Sequence, residues 1–550
     1  MRPHTRFWKS LGGLALLAAL ALFIAPPGNT EDTPKKAVPP EMRDAQNALT
    51  APGARWTTAD HSTFEALKKD FTSPEEVTAA CLSCHTLAAN QLHHTIHWTW
   101  VCKCGDKTMG KNGLSLNNFC ISLPSNEPRC TSCHIGYGWK DKNFDFSSTT
   151  KVDCLVCHDT THTYEKFPTS AGYPATKPTL FPENGKTYLP PDYRAIVAKV
   201  GLPDRKNCGA CHFYGGGGNG VKHGDLDSSM GMPNKALDVH MDAAGLNFTC
   251  QRCHTTKNHR IAGRLYSSPA SSGRVSLTEA DLASKIACES CHGAKPHKES
   301  SKLNDHTDKV ACQACHIPKF ARELPTKMSW DWSTAGKRNA AGKPFVTKGP
   351  YDRPTYDSKK GDFVWEKNVV PTYRWFNGTM QNVLVTDKID PSTVVSVNKP
   401  VGSPDDPHSR IMPFKRHTGK QPYDKVNNTL VFPHLFGPND PTAFWTGFDW
   451  QKAVTAGMAY SDLPFSGQVG FVSTEYFFPT THMVAPKAQA VPCGECHTVK
   501  GRLDGVPGVY MPGRDIHAGV STVGYLAVIA ALIAVIGHGL IRIVAALRRK

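Results

Sequence analysis

Eight copies of Cys-x-x-Cys-His constrain this chain more than any other feature. Seven follow one another at Cys81-Leu-Ser-Cys84-His85, Cys130-Thr-Ser-Cys133-His134, Cys154-Leu-Val-Cys157-His158, Cys208-Gly-Ala-Cys211-His212, Cys250-Gln-Arg-Cys253-His254, Cys288-Glu-Ser-Cys291-His292 and Cys312-Gln-Ala-Cys315-His316. The eighth, Cys493-Gly-Glu-Cys496-His497, stands alone near the C-terminus. This is the chemistry of c-type haem attachment: two thiols add to the haem vinyl groups and the adjacent imidazole becomes the proximal iron ligand. Disulfide frameworks and zinc sites also use clustered cysteines, but neither places a histidine directly after every pair. The sixteen motif cysteines are therefore assigned to eight covalently bound haem c groups, and His85, His134, His158, His212, His254, His292, His316 and His497 to proximal ligation.

Of 19 cysteines these motifs leave Cys102, Cys104 and Cys120. The formal charge of +16 would suggest nucleic acid or an acidic surface. Haem propionates lower it by roughly 8 in eight ferric haems and roughly 16 when reduced, so the charge predicts no nucleic-acid partner.

Both ends point to a membrane. Arg2, Arg6 and Lys9 precede the apolar run Leu11 to Ile24, so 1–27 reads as a signal peptide or, because Pro26 and Pro27 hinder cleavage, an N-terminal anchor. Residues 28–55 read as a polar linker. Val520 to Ile541 is uncharged and as a helix spans about 33 Å, the thickness of a bilayer core. Arg542, Arg548, Arg549 and Lys550 follow it in the basic tail 542–550, which the positive-inside rule puts in the cytoplasm, with the haem body in the periplasm.

Between these ends the expected organisation is a seven-haem core (56–320), a haem-free Trp/Pro-rich wrapping region (321–490) and an eighth-haem segment (491–517). Motif spacing leaves room for short helices and loops, and strand-like alternation is scarce in the core. The expected fold is mainly α, a loop-rich multihaem cytochrome c with little β structure and one C-terminal transmembrane helix at 520–541. Tryptophans 330, 332, 365, 375, 445 and 450 are expected to pack. The eighth motif is close to that helix in sequence, but an extended tether of about 23 residues reaches roughly 75 Å, so sequence adjacency does not place it at the membrane.

A haem with two protein ligands carries electrons, whereas catalysis needs an exchangeable position. Candidate distal ligands within or beside the motif region are His61, His94, His223, His240, His259, His297, His306 and His482. None of the motifs differs from the rest. Their surroundings do: Asn117-Asn118-Phe119-Cys120 precedes the second motif, which continues as Gly136-Tyr137-Gly138-Trp139, and Lys222-His223-Gly224-Asp225-Leu226-Asp227 follows a run of four glycines.

With these segments and Ser329-Trp330-Asp331-Trp332, residues 56 to 515 resemble the octahaem tetrathionate reductase family, relatives of hydroxylamine oxidoreductases and cytochrome c nitrite reductases. The resemblance implies that the haem of Cys130, Cys133 and His134 is catalytic, that Lys222 is its distal ligand and that Cys120 lines its pocket. His223 and Asp225 join the catalytic candidates. The implied function is reduction of tetrathionate, nitrite or hydroxylamine. The competing readings are a hydroxylamine-oxidising relative with a cross-linked tyrosine (Tyr460 and Tyr476 are available) and a non-catalytic electron conduit. Expected partners are a small inorganic sulfur or nitrogen substrate, the membrane and an electron-donor protein or quinol-linked cytochrome. Oligomeric state is left open.

Overall fold

A computed structural model describes residues 59–104, 107–263, 288–511, 515 and 517–549, all within one compact unit. The signal or anchor segment 1–27, the linker 28–55 and the side chains of Cys102 and Cys104 lie outside the described residues.

Every haem motif sits on a helical turn, because thiols at i and i+3 and an imidazole at i+4 share one side only when the backbone is helical. Cys81 ends helix α1 (Pro74–Leu82), whose N-cap Ser73 and first-turn Pro74 fix its start. The fourth motif closes α2 (Arg205–His212), where Asp204 and Asn207 form a reciprocal cap. The other motifs occupy single turns such as Leu155–His158, Cys288–His292, Cys312–His316 and Cys493–Cys496. Among the described residues before 326, strands occur only as three short hairpins.

The wrapping region differs from expectation. Instead of a loop-rich layer it builds a nine-stranded sheet from β1 (Thr326–Asp331), β2 (Val346–Lys348), β3 (Pro354–Asp357), β4 (Gly361–Glu366), β5 (Thr372–Phe376), β6 (Val395–Ser396), β7 (Arg410–Asp424), β8 (Thr429–Leu430) and β9 (Val469–Pro479). The order is β6-β9-β7-β1-β4-β3-β2, with β5 and β8 also on β7. Prolines explain the difference: Pro413 and Pro422 lie inside β7, where a missing N–H ordinarily argues against a strand. The β4 run alternates strictly, burying Phe363 and Trp365 while Val364 faces out.

The sheet's apolar face packs around Trp330 and Trp332, stacked at 4.7 Å, with Phe119, Phe432, Phe444 and Phe478. Trp332 Nε1 donates to the Phe119 carbonyl at 2.9 Å, and Trp330 Nε1 to that of Lys360 at 2.7 Å. These tryptophans hold the Cys120 segment against the sheet. The helix α3 (Trp450–Tyr460) covers the same core through Ala453, Val454 and Met458. The last helix, α4 (Ala518–Leu547), is long and apolar enough to cross a membrane and extends past the expected Ile541 through Arg542.

Asn126 joins the second motif to the wrapping region: its Oδ1 accepts from Leu435 N (2.7 Å) and Phe436 N (3.0 Å), and its Nδ2 donates to the Pro433 carbonyl (3.0 Å). Because Asn126→Ala strands these buried groups, it should cost about 2–4 kcal/mol, read as a lower denaturant midpoint of the holoprotein with an unchanged slope.

Candidate functional site

All the motif cysteines except Cys81, Cys84 and Cys154 line one continuous cavity of about 4070 Å³, several times the roughly 300–1,000 Å³ of a single ligand site. Seven motif imidazoles face a second imidazole: His85 with His61, His158 with His259, His212 with His97, His254 with His482, His292 with His240, His316 with His297, and His497 with His306. Their ring centres are 6.0 to 6.4 Å apart. Rings in contact come closer, as His93 does on Trp98 at 4.7 Å. A gap of this width fits one iron, which stands roughly 2 Å from each coordinating nitrogen and so holds the ring centres about 6 Å apart.

In four of these imidazoles the other ring nitrogen is anchored. His158 Nδ1 lies 2.7 Å from the Gly201 carbonyl, His254 Nδ1 2.8 Å from that of Ala262, His306 Nδ1 2.7 Å from that of Lys302, and His259 Nδ1 2.7 Å from Gln91 Oε1. Donating from Nδ1 fixes the tautomer that leaves Nε2 available to a metal.

The pairs bring together His61, His240, His259, His297, His306 and His482 from among the expected distal residues, each with a different motif. They do not include His94, which is exposed and bonds the Asn90 carbonyl through Nδ1 at 2.7 Å. His97 occupies that role instead. Spacing could not choose among His93, His94 and His97; the short helix Ile96–Thr99 decides by turning His97 toward His212. His223 is likewise unpaired with any motif imidazole and packs edge-on against Phe478 at 5.3 Å. Asp225 accepts from Thr481 N (2.7 Å) and His482 N (2.9 Å) and lies 3.1 Å from His482 Nδ1. Against burial, these partners pull its carboxyl down to about 2. Asp225 therefore orients the His482 imidazole, a different task from the expected catalytic one.

His134 is the exception. It is fully buried among Trp98, Trp100, Trp139 and Phe144, its Nε2 lies 2.7 Å from the Trp98 carbonyl, and its Nδ1 has no partner. In this rotamer the ring is not presented to a second imidazole, so the fit at this motif rests on Cys130 and Cys133, which line the cavity with Cys120, Lys222 and His223. Burial and then the neighbouring Cys120 push the Cys130 thiol up to about 12.

Two glycines bring Cys120 and Lys222 to the same place. A Cβ at Gly217 would lie 3.7 Å from Cys120 Sγ, and one at Gly215 3.4 Å from Lys222 Cδ; Gly216 and Gly217 have φ of 81° and 92°. Lys415, fully buried, donates to the carbonyls of Val221 (2.9 Å) and Lys222 (3.1 Å) and to Thr326 Oγ1 (2.6 Å), holding that segment against β1. Cys120 itself sits in a tight loop where Asn117 bonds Ile121 and the β-branched Ile121 has φ of 63°. Such strain persists only where the surroundings enforce it. Burial raises the Cys120 thiol, and Lys360, Arg129 and Lys327 draw it back. Lys327 lies over Phe363 at 3.4 Å and Trp330 at 3.7 Å, and burial pushes its amine well below the usual lysine range. None of these cations is marked by a motif in the sequence.

The motifs also form a sequence in space. The Cys81 thiol lies beside that of Cys154, Cys133 beside Cys211, and Cys208 beside Cys250. Cys157 lies within electrostatic reach of Cys208 and Cys211, Cys253 of Cys291, His316 of His292, and Cys315 of Cys496. The order is first, third, fourth, fifth, sixth, seventh, eighth, with the second motif branching from the fourth.

Imidazole planes are near parallel in three pairs (10°, 20° and 27°) and near perpendicular in four (67°, 69°, 78° and 83°). Parallel planes split the iron d orbitals and perpendicular ones leave them nearly degenerate. Electron paramagnetic resonance of the oxidised protein should resolve three rhombic low-spin species and four of large anisotropy. His97→Ala should convert one of the latter to high spin, and His94→Ala should leave all of them unchanged.

A family model described as bacterial cytochrome c matches residues 327–500, the sheet and the eighth motif. An uncharacterized protein of Archaeoglobus fulgidus is 24% identical over 226 residues, covering 34% of this chain and 75% of that one. The crystal structure of an octahaem cytochrome c from Shewanella oneidensis is similar with a TM-score of 0.70 and 45% identity, covering 82% of this chain and 98% of the other. With thiols and imidazoles arranged for covalently bound haem c over the full length of that relative, this chain belongs to the octahaem cytochrome c family.

Proposed function

We propose that this protein is a periplasm-facing, membrane-anchored reductase carrying eight haem c groups, which delivers electrons to a lysine-ligated catalytic haem at Cys130, Cys133 and His134 and reduces tetrathionate there. The seven imidazole pairs would bind their irons on both sides, making those haems electron carriers. The observation that carries the reading is the second motif: no histidine is paired with its imidazole among the described residues, and its thiols share a cavity with Lys222 and Cys120. Lys222 would bind iron as a neutral amine and, as the weaker ligand, leave for substrate.

When bound, the haems supply electrons singly to this site. Cys120 supplies the nucleophile: its thiolate attacks an inner sulfur of tetrathionate, the central S–S bond breaks and one thiosulfate leaves, with a cysteine S-sulfonate-capped disulfide remaining. Two electrons then cleave that bond to return the Cys120 thiolate and a second thiosulfate. Arg129 and Lys360, which line the cavity, favour the dianionic substrate and the thiolate together. Nitrite and hydroxylamine are the next substrates this site would accept. The hydroxylamine-oxidising reading has weaker support, because the Tyr460 hydroxyl is held by Glu127 (3.0 Å) and Lys142 N (2.6 Å), while Tyr476 stacks on Phe478.

The anchor in this reading is α4, with Arg542, Arg548, Arg549 and Lys550 at the cytoplasmic face and a membrane-linked electron donor.

Cys120→Ser should lower tetrathionate turnover driven by a reduced dye at least about 10³-fold while sparing nitrite reduction. Because burial holds the thiol above its ordinary value, wild-type turnover should climb with pH through the usual thiol range, where the thiolate fraction grows about tenfold per unit. Lys222→Ala should change the ligation of one haem only; spectra assigning all eight haems to histidine pairs would overturn the reading.

A further inference from the structure

We infer that the eighth haem is the port through which electrons arrive, from a membrane-integral redox protein that docks beside it. The inference rests on the membrane-anchor reading and adds the place and the kind of partner. Sequence alone permits a tether long enough to put the membrane anywhere around the body. The fold shortens it. After His497 the chain does not leave the body: Leu503, Val506 and Met511 are buried in a cluster with Trp375, Tyr373 and Ala314, and Cys496 packs against that cluster. Trp375 Nε1 donates to the Pro507 carbonyl at 2.7 Å, and Arg502 reaches the Pro318 carbonyl at 2.6 Å. Six residues separate Met511 from Ala518, where α4 begins. They reach about 25 Å at full extension, so the cluster holding the seventh and eighth motifs cannot stand farther than that from the start of α4.

Position in the series agrees. The eighth motif is at one end of the series, with its thiols beside Cys315 of the seventh, while the second motif lies at a branch from the fourth. A terminal carrier at the membrane and a catalytic site away from it give electrons one direction of travel. The segment that follows the eighth motif also carries apolar side chains out into solvent: Val499 is 51% and Tyr510 62% exposed. Tyr510 lines a shallow cleft of about 540 Å³ formed by 504–510 with Asp515. Direct oxidation of a lipid-soluble quinol needs an enclosed site within the bilayer, and among the described residues α4 is the one helix long and apolar enough to cross it, with none of its most apolar stretch buried. The occupant is therefore a protein that oxidises quinol in the membrane and presents a one-electron centre at its outer face. Each transfer oxidises that centre by one electron and reduces the eighth haem from ferric to ferrous, with no bond made or broken.

The test uses full-length protein in its native membranes, with decyl-ubiquinol or a menaquinol analogue as reductant and the haem absorbance as readout, without tetrathionate. Val499→Asp changes an exposed side chain outside the lining of the haem cavity. This variant should slow quinol-driven haem reduction at least tenfold and leave dye-driven reduction and dye-driven turnover unchanged. Quinol-driven reduction at the wild-type rate would overturn the port, as would equal loss with quinol and dye. Loss of the port would leave dye-driven tetrathionate turnover intact, whereas failure of the proposed activity would remove that turnover in the wild type.

Discussion

Imidazoles held 6.0 to 6.4 Å apart are the constraint on which the rest of this structure depends. Two rings at that spacing make no contact with one another, and where they are enclosed, burial lowers their tendency to be charged, as at His97, His158, His212, His254 and His259. Such an arrangement is costly unless something binds between the rings, and neutral imidazole is the form that binds iron. The chain around them is built to tolerate it. Short helical turns present thiols and proximal imidazoles, and loops from distant segments bring the second ring, as His482 does for His254 after more than two hundred residues.

The sheet does for the second motif what the imidazole pairs do for the others. Strand β7 supplies Lys415 to fix the Lys222 backbone, and β1 and the turn that follows it supply Lys327 and Trp332 to fix the Cys120 loop. In the proposed reading the second motif has a replaceable ligand and is not positioned by two strong iron bonds. It is positioned instead by hydrogen bonds, aromatic packing and a strained loop, which is why the haem-free part of the chain is the most regular part of the fold.

Haem attachment was legible because it is local chemistry: thiol and imidazole spacing is written in five consecutive residues. The C-terminal apolar helix was legible for the same reason, since length and hydropathy are properties of one segment. Distal ligands were only partly legible. His94 and His97 are equivalent on composition and separated by their place on a turn, and Asp225 read as a reactive group when its carboxylate is committed to His482. The sheet was hidden because its central strand contains Pro413 and Pro422, and local propensity argues against a strand that its neighbours nevertheless complete.

By itself, then, the sequence determined the cofactor class, the thiols and proximal imidazoles that hold it, and the apolar C-terminal helix, all of which follow from residues adjacent in the chain. Only the tertiary structure decided which imidazoles meet across the cavity, that the second motif has no histidine partner among the described residues, and that the eighth motif is bound to the start of α4 by a short tether. Those are relations between residues tens to hundreds of positions apart. Their physical basis is packing and hydrogen bonding between segments, which no local pattern encodes.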